Sequence, residues 1–106
     1  MKIVIDECLP KRVTQFFEKG FAYTVPQMGL SGSKDTELLE ELDKREIDVF
    51  ITIDGNIEYQ QQFINRTFGT VVIISVSNRF SDLVHLKDKI LQAVESVSKG
   101  EIEHIS

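Results

Sequence analysis

The sequence predicts an α/β fold: one domain over residues 1–106, with helices on both faces of a mostly parallel central sheet of four to five strands. Short β-branched runs alternate with amphipathic stretches along the chain, which is typical of strand–helix–strand units. The runs are apolar throughout, and this indicates strands that are buried on both faces. A length of 106 residues fits a single core.

Five runs predict the strands: residues 2–5, 22–25, 48–53, 70–75 and 102–105. The third and fourth are rich in Val, Ile and Phe, so we expect central strands there. The last run is short, and we expect it at an edge of the sheet.

Four stretches predict the helices: the residues after Pro10, residues 35–45, residues 58–65 and residues 82–98. Pro10 suits the first turn of a helix, and Gly20 suits the position just after its end. In the second and fourth stretches the apolar residues recur at helical spacing. Residues 26–33 are rich in Gly, Ser and Pro and predict a loop.

Composition and charge restrict the function. The single cysteine excludes an internal disulfide and a cysteine-rich zinc site. No apolar run is long enough for a membrane span or a signal peptide, so we expect a cytoplasmic protein. The net charge of −5 argues against simple nucleic-acid binding, but it is compatible with phosphate chemistry if bound cations or a basic partner invert the local charge.

Acidic residues directly follow two predicted central strands. Asp6 follows the first and Asp54 follows the third. Ligands of open parallel sheets bind outside the carboxyl ends of the strands. Carboxylates that are partly desolvated there are costly unless a cation binds them, and oxygen ligands suit Mg²⁺ or Mn²⁺. The pair predicts a metal site that activates water against a phosphodiester.

A structural role is the alternative for each acid. A cap of the following turn explains Asp6 or Asp54 alone, whereas two such residues at neighbouring strand ends favour a functional site. Asp35 lies at a predicted helix start, where the helix dipole stabilises a carboxylate in any case. For Glu37 and Glu7 the sequence leaves two orientations open, one toward the site and one toward the solvent.

Basic residues near the predicted strand ends have two interpretations. Arg79 follows the fourth strand and is placed to hold a substrate phosphate, or it is a solvated loop residue. Lys11, Arg12 and Lys34 line an RNA path or are ordinary surface charges. Cys8 has no candidate base near it in the sequence, and we expect a small buried residue.

Four segments, IVIDECLP, GLSGSKDTELLE, ITIDGN and VSNRFSDL, resemble the small PIN-like proteins of the DUF5615 or Mut7-C-like group. They occur in the order found in that group and span nearly the whole chain. The resemblance implies a PIN-like fold and a metal-dependent ribonuclease that uses Mg²⁺ or Mn²⁺. It also implies the toxin of a toxin–antitoxin pair, with RNA as substrate, a small antitoxin as partner and a homodimer as assembly.

Carried over by position, the resemblance makes Asp6, Asp35 and Asp54 the acidic metal ligands and catalytic residues. The family often has a second aspartate where this chain has Asn56, which can coordinate a metal only through its neutral carbonyl oxygen. The second metal position and full activity are therefore in doubt.

The same resemblance makes Ser77 and Arg79 the contacts to the substrate phosphate. Glu7 and Glu37 are accessory acids near the metal.

Two other functions fit parts of the sequence. A receiver domain also has acids after its first strand and an aspartate after its third, but it needs a later lysine and a final helix that the ending GEIEHIS does not supply. A non-catalytic PIN-like module that binds a protein partner would explain both Asn56 and the acidic net charge.

Overall fold

The computed structural model describes residues 1–53, 55 and 66–106, and its strands form one parallel sheet. They are β1 (Ile3–Ile5), β2 (Ala22–Thr24), β3 (Val49–Thr52), β4 (Gly69–Ile73) and β5 (Ile102–Ile105). The order across the sheet is β2-β1-β3-β4-β5, and every neighbouring pair is parallel. The predicted α/β class is confirmed, and β5 lies at an edge as expected.

The helices of the described residues are α1 (Asp35–Lys44), α2 (Phe80–Val84) and α3 (Lys87–Ser96), with 3₁₀ helices at Lys11–Phe16 and Pro26–Met28. The predicted helix over residues 35–45 is confirmed to within one residue. The predicted helix over residues 58–65 lies outside the described residues.

The prediction of one helix over residues 82–98 was wrong, because α2 ends at Val84 and α3 begins at Lys87. The backbone amide of Leu86 donates to the carbonyl of Leu83 at 2.9 Å, a three-residue bond that tightens the chain between the two helices. Leu83 and Ile90 are both fully buried on either side of the break. The apolar spacing therefore continues across a break that periodicity does not reveal.

The helix expected after Pro10 is a short 3₁₀ helix, with Pro10 preceding it as the N-cap. The amide of Val13 donates to the carbonyl of Pro10 at 3.0 Å, and the hydroxyl of Thr14 donates to the carbonyl of Lys11 at 2.8 Å. These three-residue bonds occupy carbonyls that an α-helix would use.

The core divides into two clusters, one on each face of the sheet, because successive strand residues point to opposite faces. Ile5, Ile51 and Ile73 belong to the face covered by α3 and the first 3₁₀ helix. Val4 and Phe50 belong to the face covered by α1, whose buried residues are Leu38, Leu39 and Leu42. Helices thus cover both faces, which explains the apolar strands.

An anion–cation contact joins the end of α1 to the chain that enters β4. The carboxylate of Asp43 accepts hydrogen bonds from Arg66 at 2.5 Å, and from the amide of Thr67 at 3.0 Å and its hydroxyl at 2.9 Å. Burial opposes ionisation of Asp43, but these donors outweigh it and lower its pKa. The contact fixes the amino end of the sheet against α1.

Within the described ranges, no helix has both the length and the apolar character that a membrane crossing requires.

Gly69 tests the packing of β4 against the end of α3. A methyl group at this position would lie 2.8 Å from Val97 Cγ1 and 2.9 Å from the carbonyl oxygen of Ser98. We expect Gly69→Ala to lower the free energy of unfolding by about 1–3 kcal/mol, because backbone must move to make room. Urea unfolding at neutral pH measures this.

The matched control for Gly69→Ala is Gly55→Ala, where the added methyl group meets nothing within 4 Å. We expect that control to change stability by no more than about 0.5 kcal/mol. Equal losses in the two variants would contradict the packing argument.

Candidate active site

The order of the strands reverses between β1 and β3. The chain passes from β1 to β2 on one side and continues from β3 to β4 and β5 on the other. In a sheet of this order, ligands bind where the direction of strand addition reverses. The point of reversal here lies between β1 and β3, and Asp6 is the residue that directly follows β1.

Asp6 is held at this point by the neighbouring strand. Its amide donates to the carbonyl of Ile51 at 2.9 Å, so the β1–β3 ladder extends one residue beyond β1. Its carboxylate Oδ2 accepts a hydrogen bond from the hydroxyl of Thr52 at 2.7 Å. Since Val4 and Phe50 face α1, Asp6 and Thr52 lie on the α1 side of the sheet as well.

Two further donors orient the carboxylate of Asp6. The thiol of Cys8 lies 3.4 Å from Oδ2, and the amide of Glu7 donates to Oδ1 at 2.8 Å. Cys8 is partly buried and packs against the core beside this turn, and burial raises the pKa of its thiol. The expectation of a small buried cysteine therefore agrees with its place in the structure.

Burial raises the pKa of Asp6 above its ordinary value. The hydrogen bonds from Thr52, Cys8 and the Glu7 amide act in the opposite direction and only partly offset the burial, while the charge of Glu7 raises the pKa further. The ionised carboxylate is thus disfavoured in the metal-free protein. A bound cation would reverse this balance, since it favours the charged form.

Glu7 is directed to the loop before α1. Its carboxylate accepts hydrogen bonds from the hydroxyl of Ser31 at 2.9 Å and from the amide of Gly32 at 3.2 Å. It also borders an open groove of about 290 Å³ whose walls include Lys11 and Gln27. Glu7 therefore connects the turn after β1 to the loop that leads into α1.

Asp35 is the first residue of α1, and Glu37 is exposed in the first turn. The side chain of Lys34, at the N-cap, forms no capping hydrogen bond. Asp54 and Asn56 lie outside the described residues. Among the residues that the structure describes, no group of three or more His, Cys, Asp or Glu side chains is arranged to hold a metal ion.

The loop after β4 is attached to the turn after β1. The side-chain amide of Asn78 donates to the carbonyl of Cys8 at 3.0 Å. The hydroxyl of Ser77 donates to the carboxylate of Asp82 and accepts from the amide of Arg79 at 3.1 Å. Ser77 thus shapes the start of α2, whereas the side chain of Arg79 is exposed beside it.

The sequence analysis assigned no role in this site to Thr52 or Asn78. Thr52 is fully buried, and its signal was a single hydroxyl residue near the end of an otherwise apolar strand. Asn78 follows the fourth predicted strand, but its contact spans 70 residues of sequence and is not visible in the local pattern.

No protein-family model, curated protein or solved structure matches this chain. The PIN-like identity therefore stays a resemblance in four sequence segments.

Thr52 and Thr70 provide a matched pair for the hydrogen bond to Asp6. Both are fully buried, but the hydroxyl of Thr70 has no hydrogen-bond partner among the described residues. We expect Thr52→Val to lower the free energy of unfolding by about 1–3 kcal/mol at pH 7, because the Asp6 carboxylate loses a donor. Thr70→Val should be neutral or stabilising by up to about 1 kcal/mol.

Chemical denaturation of the two valine variants measures the difference, with Thr52→Ser as the variant that keeps the hydroxyl. Equal costs at both threonines would show that the Asp6–Thr52 bond does not stabilise the fold.

Asp6→Asn tests the burial of charge. Because the pKa of Asp6 is raised on folding, the folded state binds the proton more tightly than the unfolded chain, and stability decreases as pH rises from about pH 4 through the folded pKa. The asparagine side chain does not titrate, so the stability of the variant lacks this dependence on pH. In EDTA, we therefore expect the stability of Asp6→Asn relative to the wild type to increase between about pH 4 and pH 7.

Urea unfolding across that pH range, with NMR titration of the Asp6 carboxyl carbon, measures the effect. A stability difference that does not change with pH would contradict the assigned pKa direction.

Proposed function

We propose that this chain is a metal-dependent ribonuclease of PIN-like type that acts as the toxin of a type II toxin–antitoxin pair. The observation that supports this most is the half-buried carboxylate of Asp6 at the strand-order reversal, where burial raises its pKa. Three donors hold this carboxylate where burial opposes its negative charge, and a bound cation would stabilise that charge. The four-segment resemblance supplies the reaction class.

The donor chemistry of the proposed site fits Mg²⁺ or Mn²⁺. The candidate ligands, Asp6, Asp35, Asp54 and Asn56, offer only oxygen atoms, which hard cations prefer. When bound, the metal would lower the pKa of a water molecule and stabilise charge on the phosphate. Because burial raises the pKa of Asp6, a metal ion would compete with a proton for this carboxylate.

The protein's own groups prepare Asp6 for this role. Thr52 and Cys8 hold Oδ2, and the Glu7 amide holds Oδ1. A carboxylate has about four acceptor positions, and these three donors leave about one of them for a cation. Glu7 positions the loop before α1 through Ser31 and Gly32, and we therefore assign it an accessory rather than a ligating role.

Asn56 limits the metal content of the proposed site. An amide oxygen contributes no charge, so the site offers three carboxylates from Asp6, Asp35 and Asp54. Three carboxylates with one divalent cation leave an excess of negative charge, whereas two cations leave an excess of positive charge that a substrate phosphate would neutralise. We therefore propose one firmly bound metal and a second that binds with the substrate phosphate, to which Arg79 would contribute its charge.

The proposed partners are RNA, a small antitoxin and a second copy of the chain, in the cytoplasm. The two edge strands, β2 and β5, leave backbone groups open to pairing. Phe21 and Tyr23 at β2 are more than a third exposed, which is compatible with a protein contact on that edge.

The decisive experiment compares RNA cleavage by the wild type, Asp6→Asn and Asp54→Asn. With Mg²⁺ or Mn²⁺, we expect the wild type to degrade single-stranded RNA and each variant to lose about 100-fold or more in rate, equivalent to about 3 kcal/mol of transition-state stabilisation. Asp88→Asn, an exposed aspartate on α3, is the matched control and should retain full activity.

Metal binding supplies a readout that is independent of activity. Mn²⁺ should raise the thermal midpoint of the wild type, because a ligand of the folded state stabilises it, and Asp6→Asn should lose most of that shift. The proposal fails if wild type and both site variants behave alike on a broad RNA panel.

A receiver-like phospho-acceptor is a second candidate, favoured by the strand order β2-β1-β3-β4-β5, which receiver folds share. Against it, the Glu7 carboxylate accepts hydrogen bonds from Ser31 and Gly32, whereas a receiver needs this second acid, together with Asp6, for its metal. A phosphoryl mass shift at Asp54 after treatment with a small phosphodonor would favour this candidate.

A further inference from the structure

A cation–aromatic stack connects α2 to the first 3₁₀ helix. The guanidinium carbon of Arg12 lies 4.1 Å from the centroid of the Phe80 ring. Phe80 in turn packs on Phe16, with ring centroids 5.5 Å apart, and Phe16 is part of the core. The guanidinium therefore rests on a ring that is anchored from below.

The outer side of this stack is exposed and positively charged. Arg12, Arg79 and Lys87 are exposed, and the ion pairs formed by the described residues involve Arg45 and Arg66 instead. Lys87 lies 6.0 Å from the centroid of Phe16, so it belongs to the same group. The positive charge here is thus available to an anion, although the whole chain has a net charge of −5.

The stack is connected to the proposed catalytic carboxylate. Phe80 follows Asn78 by two residues in the sequence. The side chain of Asn78 donates a hydrogen bond to the carbonyl of Cys8, and the thiol of Cys8 contacts the carboxylate of Asp6. A chain that crosses the carboxyl edge of the sheet near Asp6 would therefore meet the loop of Asn78 and Arg79 before it reaches Phe80.

An exposed guanidinium on an aromatic ring is suited to an unpaired base. Bases of single-stranded RNA stack on guanidinium planes as well as on aromatic rings, and this stacking tolerates any base. Since the net charge of the protein repels RNA, binding needs local cations that contact phosphates. Duplex RNA has its bases stacked on one another and cannot use such a platform.

We propose that Arg12, supported by Phe80, is a stacking platform for an unpaired base of single-stranded RNA, with Arg79 and Lys87 contacting the adjacent phosphates. The proposal rests on the ribonuclease function proposed above and specifies its substrate as single-stranded.

The test is fluorescence anisotropy with a labelled single-stranded RNA of about 12 nucleotides, a strand of the same length with abasic sites, and a duplex. Every protein carries Asp54→Asn so that the RNA stays intact. Arg12→Lys keeps the charge and removes the planar group. Phe80→Leu keeps apolar packing on Phe16 and removes the ring under Arg12, and unfolding curves verify that both variants fold.

We expect Arg12→Lys and Phe80→Leu each to weaken binding of the normal strand about tenfold and to leave binding of the abasic strand and the salt dependence unchanged. Arg79→Ala should instead lower the slope of log affinity against log salt by about 0.7, the value of one phosphate contact. The control is Lys99→Ala, a cation beside Asp43 and Asp48 at the amino end of the sheet, and it should bind like the parent protein.

Equal affinity of parent, Arg12→Lys and Phe80→Leu for the normal strand would overturn the platform, even if the wild type cleaves RNA. A second outcome separates the two proposals. If Arg12→Lys and Phe80→Leu weaken binding of the normal strand but not of the abasic strand, and the wild type cleaves no RNA, the platform is supported and the nuclease function is rejected. Tighter binding of the duplex than of the single strand would also overturn the platform.

Discussion

The hydrogen bond from Thr52 to Asp6 is the constraint on which the proposed site depends. It joins the ends of β1 and β3 at the only strand pair where the order of the described sheet reverses. The bond holds a carboxylate where burial disfavours its charge. A fold optimised for stability alone would place an apolar or amide side chain here, and the proposed metal site would account for the acid.

The neighbours of Asp6 organise the edge of the sheet around this one turn. Glu7 attaches the loop before α1, and Asn78 attaches the loop after β4. Each contact is a hydrogen bond between segments far apart in sequence, so the positions of both loops depend on two adjacent residues after β1, Glu7 and Cys8. Loss of either tether would alter the site without removing a candidate ligand.

Charge is distributed unevenly in a way that matters for a phosphate substrate. The acidic net charge of −5 would slow the approach of RNA, and a local group of cations beside the site would direct it to one route. The stack of Arg12 on Phe80 adds a contact that charge alone does not give, because it recognises the face of a base. The attraction to phosphates would then come from Arg79 and Lys87, and the preference for a single strand from Arg12.

The sequence by itself determined the α/β class, the five strands, the helix α1 and the position of Asp6 directly after β1. Apolar β-branched runs gave the five strands, the leucines of α1 gave its bounds to within one residue, and Asp6 was placed at a strand end. Tertiary structure decided the strand order, the partner of Asp6 and the break between α2 and α3. These features depend on contacts across tens of residues, such as the 46 that separate Asp6 from Thr52. Local periodicity has no access to such contacts, because it records only which face of an element is apolar.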